Sequence, residues 1–106
     1  MIDVNFEDLE ENAEEAARLL ANMAHPKRLM VLCRLVQSEC TVGELAEAVN
    51  LSQSALSQHL AKMRASNLVS TRRSAQTIYY TLASVEVESV LQTLYGLYCA
   101  PQENET

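Results

Sequence analysis

Along residues 7–24, apolar side chains recur at three- and four-residue spacing. Leu9, Ala13, Ala16, Ala17, Leu20 and Met23 form the stripe and acids occupy the opposite face, which predicts an amphipathic helix. The alanines in that stripe allow a second helix to approach closely, for example across a dimer axis, although Ala is also simply a good helix former. His25-Pro26 interrupts the pattern. Pro26 suits the first position of a new helix, because its missing N–H would have no partner there. Leu29, Leu32, Cys33 and Val36 mark one face of this second helix, which ends near Ser38. Thr41 and Glu44 form a capping box for a third, short helix through Ala48, with Leu45, Ala46 and Val49 on its apolar side. After Asn50-Leu51, Ser52 caps a fourth helix from Gln53 to Ala65, with Leu56, Leu60 and Met63 facing inward. Asn67 suits the left-handed residue that stops it.

The period then shortens to two. Residues 68–73 and 77–82 are rich in β-branched and aromatic side chains and predict two strands, joined at a Ser74-Ala75-Gln76 tip. Ser84 caps a last helix with Val87, Val90, Leu91, Leu94 and Tyr98 on one face. Tyr95 and Tyr98 could line a small pocket, but on a helical stripe they are more simply read as core. Pro101 and the polar tail QENET close the chain. The expected fold class is mainly α with a small β-hairpin, in the order α-α-α-α-β-β-α. All 106 residues form a single domain in this reading, with no internal repeat and no low-complexity linker.

Composition agrees with a helical chain: hydrophobic residues make up 48%, aromatics 5%, and there are two Gly, two Pro and no Trp. No apolar run reaches the roughly 18 residues of a membrane span, so no membrane partner is expected. The acidic start MIDVNFEDLEEN lacks a signal peptide's basic start and apolar stretch, which predicts a cytoplasmic protein. The net charge of −6 argues against a nucleic-acid partner until its distribution is considered. No acid lies between Glu47 and Glu86, and that stretch holds His59, Lys62, Arg64, Arg72 and Arg73. Phosphate binding depends on local charge more than on the total; the alternative is a chance gap in a neutral surface.

The third and fourth helices, with the turn at Leu51, have the proportions of a helix-turn-helix over residues 42–65. The fourth, LSQSALSQHLAKMR, turns Ser54, Ser57, Gln58, Lys62 and Arg64 outward. Its short hydrogen-bonding groups suit base edges and phosphates, where an ordinary surface helix would carry Glu/Lys pairs. The hairpin over 68–82 offers Arg72 and Arg73 beside a polar tip, as a wing along the backbone or minor groove would.

In AHPKRLMVLCRLV, TVGELAEAVNLSQSALSQHLAKMRASNLVSTRR and QTIYYTL, residues 24–82 resemble the ArsR/SmtB-type winged-helix repressors of bacteria. The resemblance implies a winged-helix homodimer joined through helices 7–24 and 84–99. It implies binding to double-stranded DNA at an imperfect palindromic operator, and repression until an inducer weakens that binding. By match to the motif, Ser54, Ser57, Gln58 and His59 would read or position DNA, with Lys62 and Arg64 beside them, and Arg72, Arg73 and Gln76 would serve the wing. Such a protein is not an enzyme and carries no cofactor.

Many members of the family sense metals. The third helix here, VGELAEAV, has no Cys, and the last has Glu86 and Glu88 but no His. No metal site is therefore expected, since a zinc or soft-metal site needs three or four converging donors. Cys33, Cys40 and Cys99 form no C-x-x-C pair, which counts against a thioredoxin-like enzyme or a zinc ribbon. Cys33, on the inner stripe of the second helix, and Cys99, at the end of the last, resemble the paired thiols of the BigR-, SqrR- and HlyU-type subgroup. That resemblance implies release of the operator when reactive sulfur species or an oxidant link Cys33 to Cys99, and leaves Cys40 outside the switch. Lys27, Arg28 and Arg34 are candidates to lower a thiol pKa. The alternatives are a family regulator with structural cysteines and no thiol switch, and a metal-responsive member. Cys packs readily as a small buried group. A thiol-dependent enzyme is disfavoured by the lack of a Gly-rich loop and of acid/base residues near any Cys. A protein–protein adaptor on the same fold is disfavoured by the outward Ser and Gln of residues 53–65.

Overall fold

In the computed structural model, which describes residues 3–99, the elements run α1 (Phe6–Met23), α2 (Pro26–Gln37), β1 (Cys40–Thr41), α3 (Val42–Val49), α4 (Gln53–Ala65), β2 (Val69–Ser74), β3 (Thr77–Leu82) and α5 (Val85–Tyr98). The helix starts follow from capping chemistry. Thr41 Oγ1 accepts from the Glu44 N–H while Glu44 Oε1 accepts from the Thr41 N–H, completing the expected capping box. Ser52 and Ser84 accept from the N–H groups of Ala55 and Val87. Asn5 and His25 cap α1 and α2 in the same way, and Pro26 occupies the first turn of α2. Asn50 and Asn67 take left-handed φ values of 59° and 64° after α3 and α4.

One element was not expected. Cys40–Thr41 pairs antiparallel with Tyr79–Tyr80, so the sheet has three strands in the order β1-β3-β2 and the chain runs α-α-β-α-α-β-β-α. The β2–β3 register runs from Val69↔Leu82 to Ser74↔Thr77, leaving a two-residue tip of Ala75 and Gln76 rather than three. The core gathers Val31, Leu32 and Leu35 from α2, Leu45 and Val49 from α3, Leu56, Leu60 and Met63 from α4, and Val87 and Leu91 from α5.

The buried face of α2 differs from the expected one. Val31, Leu32 and Leu35 are buried, whereas Cys33 and Val36 are exposed. Of the 29/32/33/36 stripe, Leu32 is buried and Leu29 packs against the core, while Cys33 and Val36 turn away because α3 and α5 pack on the neighbouring side. Tyr95 and Tyr98 are exposed as well, not core. In α1 only Met23 is buried, with Leu19 partly covered. Pro101, the QENET tail and the two ends of the 1–106 domain lie outside the described residues.

Candidate nucleic-acid interface

The α3–turn–α4 unit is built from its ends inward. Asn50 donates its N–H toward Glu47, and the Leu51 N–H reaches Ala46 O at 3.0 Å, which closes α3. Ser52 then opens α4 after a two-residue connection. Leu56, Leu60 and Met63 anchor α4 from below, and Ser54, Ser57, Gln58, Lys62 and Arg64 stand exposed along its outer side. Lys62 and Arg64 fall in the last turn, where positive charge complements the helix dipole. Among the described residues no ion pair involves Lys62, Arg64 or Arg73. The outer side of α4 is therefore a polar, carboxylate-free surface with two unneutralised cations.

His59 is placed differently from the other α4 residues. It is half-buried, its Nδ1 accepts from Arg28 Nε at 3.0 Å, and its ring lies 4.5 Å from that of His25. Burial, followed by the nearby His25, Arg28 and Lys62, holds its pKa below the usual histidine value. His59 is thus turned toward α2, not set with Ser54, Ser57 and Gln58 on the open side.

The wing also divides its two arginines. Arg72 donates from Nε to Glu39 Oε1 at 2.8 Å, pairs with Glu39 Oε2 through Nη2, and lies 4.6 Å from the Tyr79 ring centroid. The hydrogen bond from Arg72 is the main reason the Glu39 carboxyl is held below its ordinary range. Sequence separation hid this pair, since Glu39 lies outside the acid-free stretch yet reaches its edge in space. Arg73, opposite Ile78, and Gln76 at the tip are exposed.

Cys33 and Cys99 are both exposed and free, whereas Cys40 is buried in β1 with its Sγ 3.6 Å from Ser38 O. The α2 helix packs on α5, and Cys99 lies close enough to Cys33 to act on its charge. Partial burial of the sulfur pushes the Cys33 thiol up, and a charged Cys99 pushes it further. The three cations expected to lower a thiol pKa are occupied elsewhere: Lys27 donates to Val49 O, Arg28 to His59 and Asn22 O, and Arg34 to Ser38 Oγ. Among the described residues no group of three or more His, Cys, Asp or Glu side chains converges, and no helix is long and apolar enough to cross a membrane.

The model of the arsR family of bacterial regulatory proteins matches residues 25–71. Reduced HlyU from Vibrio cholerae N16961 superposes with a TM-score of 0.83 at 49% identity, over 89% of this chain and 99% of that one. The crystal structure of the transcriptional repressor BigR from Xylella fastidiosa gives a TM-score of 0.85 at 40% identity, over 92% and 100%. The nodulation protein NolR of Rhizobium meliloti is 59% identical over 88 residues, 83% of this chain and 72% of that protein.

Proposed function

The chain belongs to the ArsR family of bacterial regulatory proteins, and we propose that it is a homodimeric repressor that grips an imperfect palindromic operator with α4 and the β2–β3 wing. The carrying observation is the outer side of α4, where Ser54, Ser57 and Gln58 stand beside unpaired Lys62 and Arg64 with no carboxylate among them. Hydroxyl and amide groups match base-edge donors and acceptors in the major groove, while the cations and Arg73 meet phosphates. The exposed apolar residues of α1 and α5 suit a second copy of the chain, which would set two reading helices about one DNA turn apart. A homodimeric assembly is described for a winged-helix neighbour from Mycobacterium bovis.

In this reading the operator is released when Cys33 and Cys99 become linked. One thiolate attacks a peroxide, yielding a sulfenic acid and water; the second thiol displaces a further water to close a disulfide. With a persulfide, the attacking thiolate takes the terminal sulfur and a thiolate leaves; the second cysteine then displaces hydrosulfide. Accessibility of both thiols and the packing of α2 on α5 support this step. The raised Cys33 thiol favours the second reading, a regulator whose cysteines do not switch, because a protonated thiol is a poor nucleophile. The two are separated by titrating a selected operator with reduced, persulfide-treated and peroxide-treated protein while following sulfur linkages by mass spectrometry. The switch requires a Cys33–Cys99 linkage that tracks the fall in affinity and disappears in Cys33→Ser and Cys99→Ser but not in Cys40→Ser. Treated protein that carries no such linkage, or keeps full affinity with it, leaves the second reading.

A further inference from the structure

Arg28 forms two hydrogen bonds to elements outside its own helix. Its Nε donates to His59 Nδ1 in α4 at 3.0 Å, and its Nη1 donates to the backbone oxygen of Asn22, in the last turn of α1, at 3.1 Å. Arg28, Asn22 and His59 are all half-buried. The His59 ring packs at 53° against His25, whose own Nδ1 accepts from the Lys27 N–H and caps α2. One guanidinium therefore ties the end of the helix bearing the exposed apolar stripe to the side of the reading helix.

We infer that Arg28 is the positioning residue that fixes α4 relative to α1, with neutral His59 as its acceptor, and so sets the distance between the two reading helices of the dimer. The inference rests on the proposal that α4 enters the groove and that α1 helps join the copies. A guanidinium suits this task because its donors project in a rigid planar fork, so two bonds made at once fix an orientation as well as a distance. A lysine ammonium would hold one partner and swivel. The distance matters because palindromic half-sites repeat about every 34 Å along the duplex, and a small rotation of each α4 displaces both reading heads from that repeat.

The acceptor role defines a protonation state. His59 Nδ1 can accept only from the neutral ring with its proton on Nε2; a protonated ring has no acceptor and adds a cation beside Arg28. The groups facing His59 are His25 from the α1–α2 junction, Arg28 from α2 and Lys62 on α4 itself, all basic. Folded His59 therefore takes up a proton less readily than in the unfolded chain. The bridge is intact at neutral pH and above, and is lost as pH falls through the lowered His59 pKa.

The test begins with selection of an operator from two-fold-symmetric duplexes with randomised half-sites. Affinity is then measured for that operator and for versions whose centre is one base pair longer or shorter, over a pH series descending from 7.5. Wild type should discriminate against altered spacing by about 30-fold, and Arg28→Met by less than about fivefold, while folding by circular dichroism and oligomeric state stay unchanged. His59→Gln keeps an acceptor and removes the titration, so it should retain the discrimination at pH 7.5 and lose the acid-side fall in affinity seen in wild type. Arg28→Met that discriminates as wild type does, or His59→Gln that still weakens in acid as wild type does, overturns the positioning role. Should Arg28→Met fail to fold, the pH profile of His59→Gln decides. Wild-type protein that selects no symmetric duplex overturns the reading of α4 itself, and the positioning role with it.

Discussion

In α4 the apolar side chains Leu56, Leu60 and Met63 are at most 1% accessible, whereas Phe6 in α1 and Leu97 and Tyr98 in α5 remain 70%, 70% and 81% exposed. Both regions are helical and both reach the surface, yet they leave opposite chemistry there. The α4 helix turns its large apolar side chains to the core and presents hydroxyls, amides and two cations to water. The α1 and α5 helices present large apolar groups that water solvates poorly, and exposed apolar patches mark interaction surfaces. A polar, cationic surface meets a charged ligand without displacing much structure, whereas an apolar one gains free energy by being covered. On the proposed reading the molecule separates a gripping surface from an assembling surface, and only the second requires another copy of the chain.

The largest effect should come from attacking the assembling surface. Phe6→Asp combined with Leu97→Asp places charge where apolar contact is expected, and sedimentation should show a monomer. Because the second half-site is then no longer bound intramolecularly, operator affinity should fall about 100-fold or more although neither position lies on α4 or the wing. A variant that stays dimeric would dissolve the contrast between the two regions.

Within the gripping surface, two substitutions should differ in kind. Gln58→Ala should cost about 1–3 kcal/mol and relax base preference at one position per half-site, as measured by binding to single-base variants of the operator. Arg73→Ala should weaken all sequences alike and lower the slope of log K against log salt by about 0.9 for each phosphate it no longer neutralises. Equal behaviour of the two would erase the division between the reading helix and the wing.

The smallest effect concerns Glu39. Glu39→Gln releases Arg72 from its ion pair, and affinity at low salt should rise about two- to fivefold, with a steeper salt dependence. The sign with pH follows from the cause. Arg72 holds the Glu39 carboxyl low, so the pair persists at neutral pH and is lost as pH falls through that lowered value. An unchanged salt slope in Glu39→Gln would mean that Arg72 does not meet phosphate even when free.

Much of the fold is legible in the sequence because local chemistry governs it. The Thr41/Glu44 capping box, Pro26 at the start of α2, Ser52 and Ser84 as caps and Asn67 as a left-handed stop each depend on a few neighbours in sequence, and each stands where its residue type predicts. The β1 strand is illegible for the opposite reason. Two residues carry no periodicity, and Cys40–Thr41 becomes a strand only because Tyr79–Tyr80, some 40 positions later, supplies the partner. The face of α2 is hidden similarly: spacing defines a helix and its candidate stripes, but neighbours from α3 and α5 choose Val31 and Leu35 over Cys33 and Val36. Placing Tyr95 and Tyr98 in the core assumes that one chain covers its own apolar stripe, and in this fold nothing among the described residues packs over that end of α5.

The order of helices, the turn before α4 and the carboxylate-free stretch between Glu47 and Glu86 belonged to the sequence alone, since helix periodicity, caps and charge spacing act over a few residues. Which of the cations in that stretch stay free belonged to the folded chain. Glu39 reaches Arg72 and Arg28 reaches His59 from 33 and 31 positions away, and partners at that separation meet only once the core has brought their elements together.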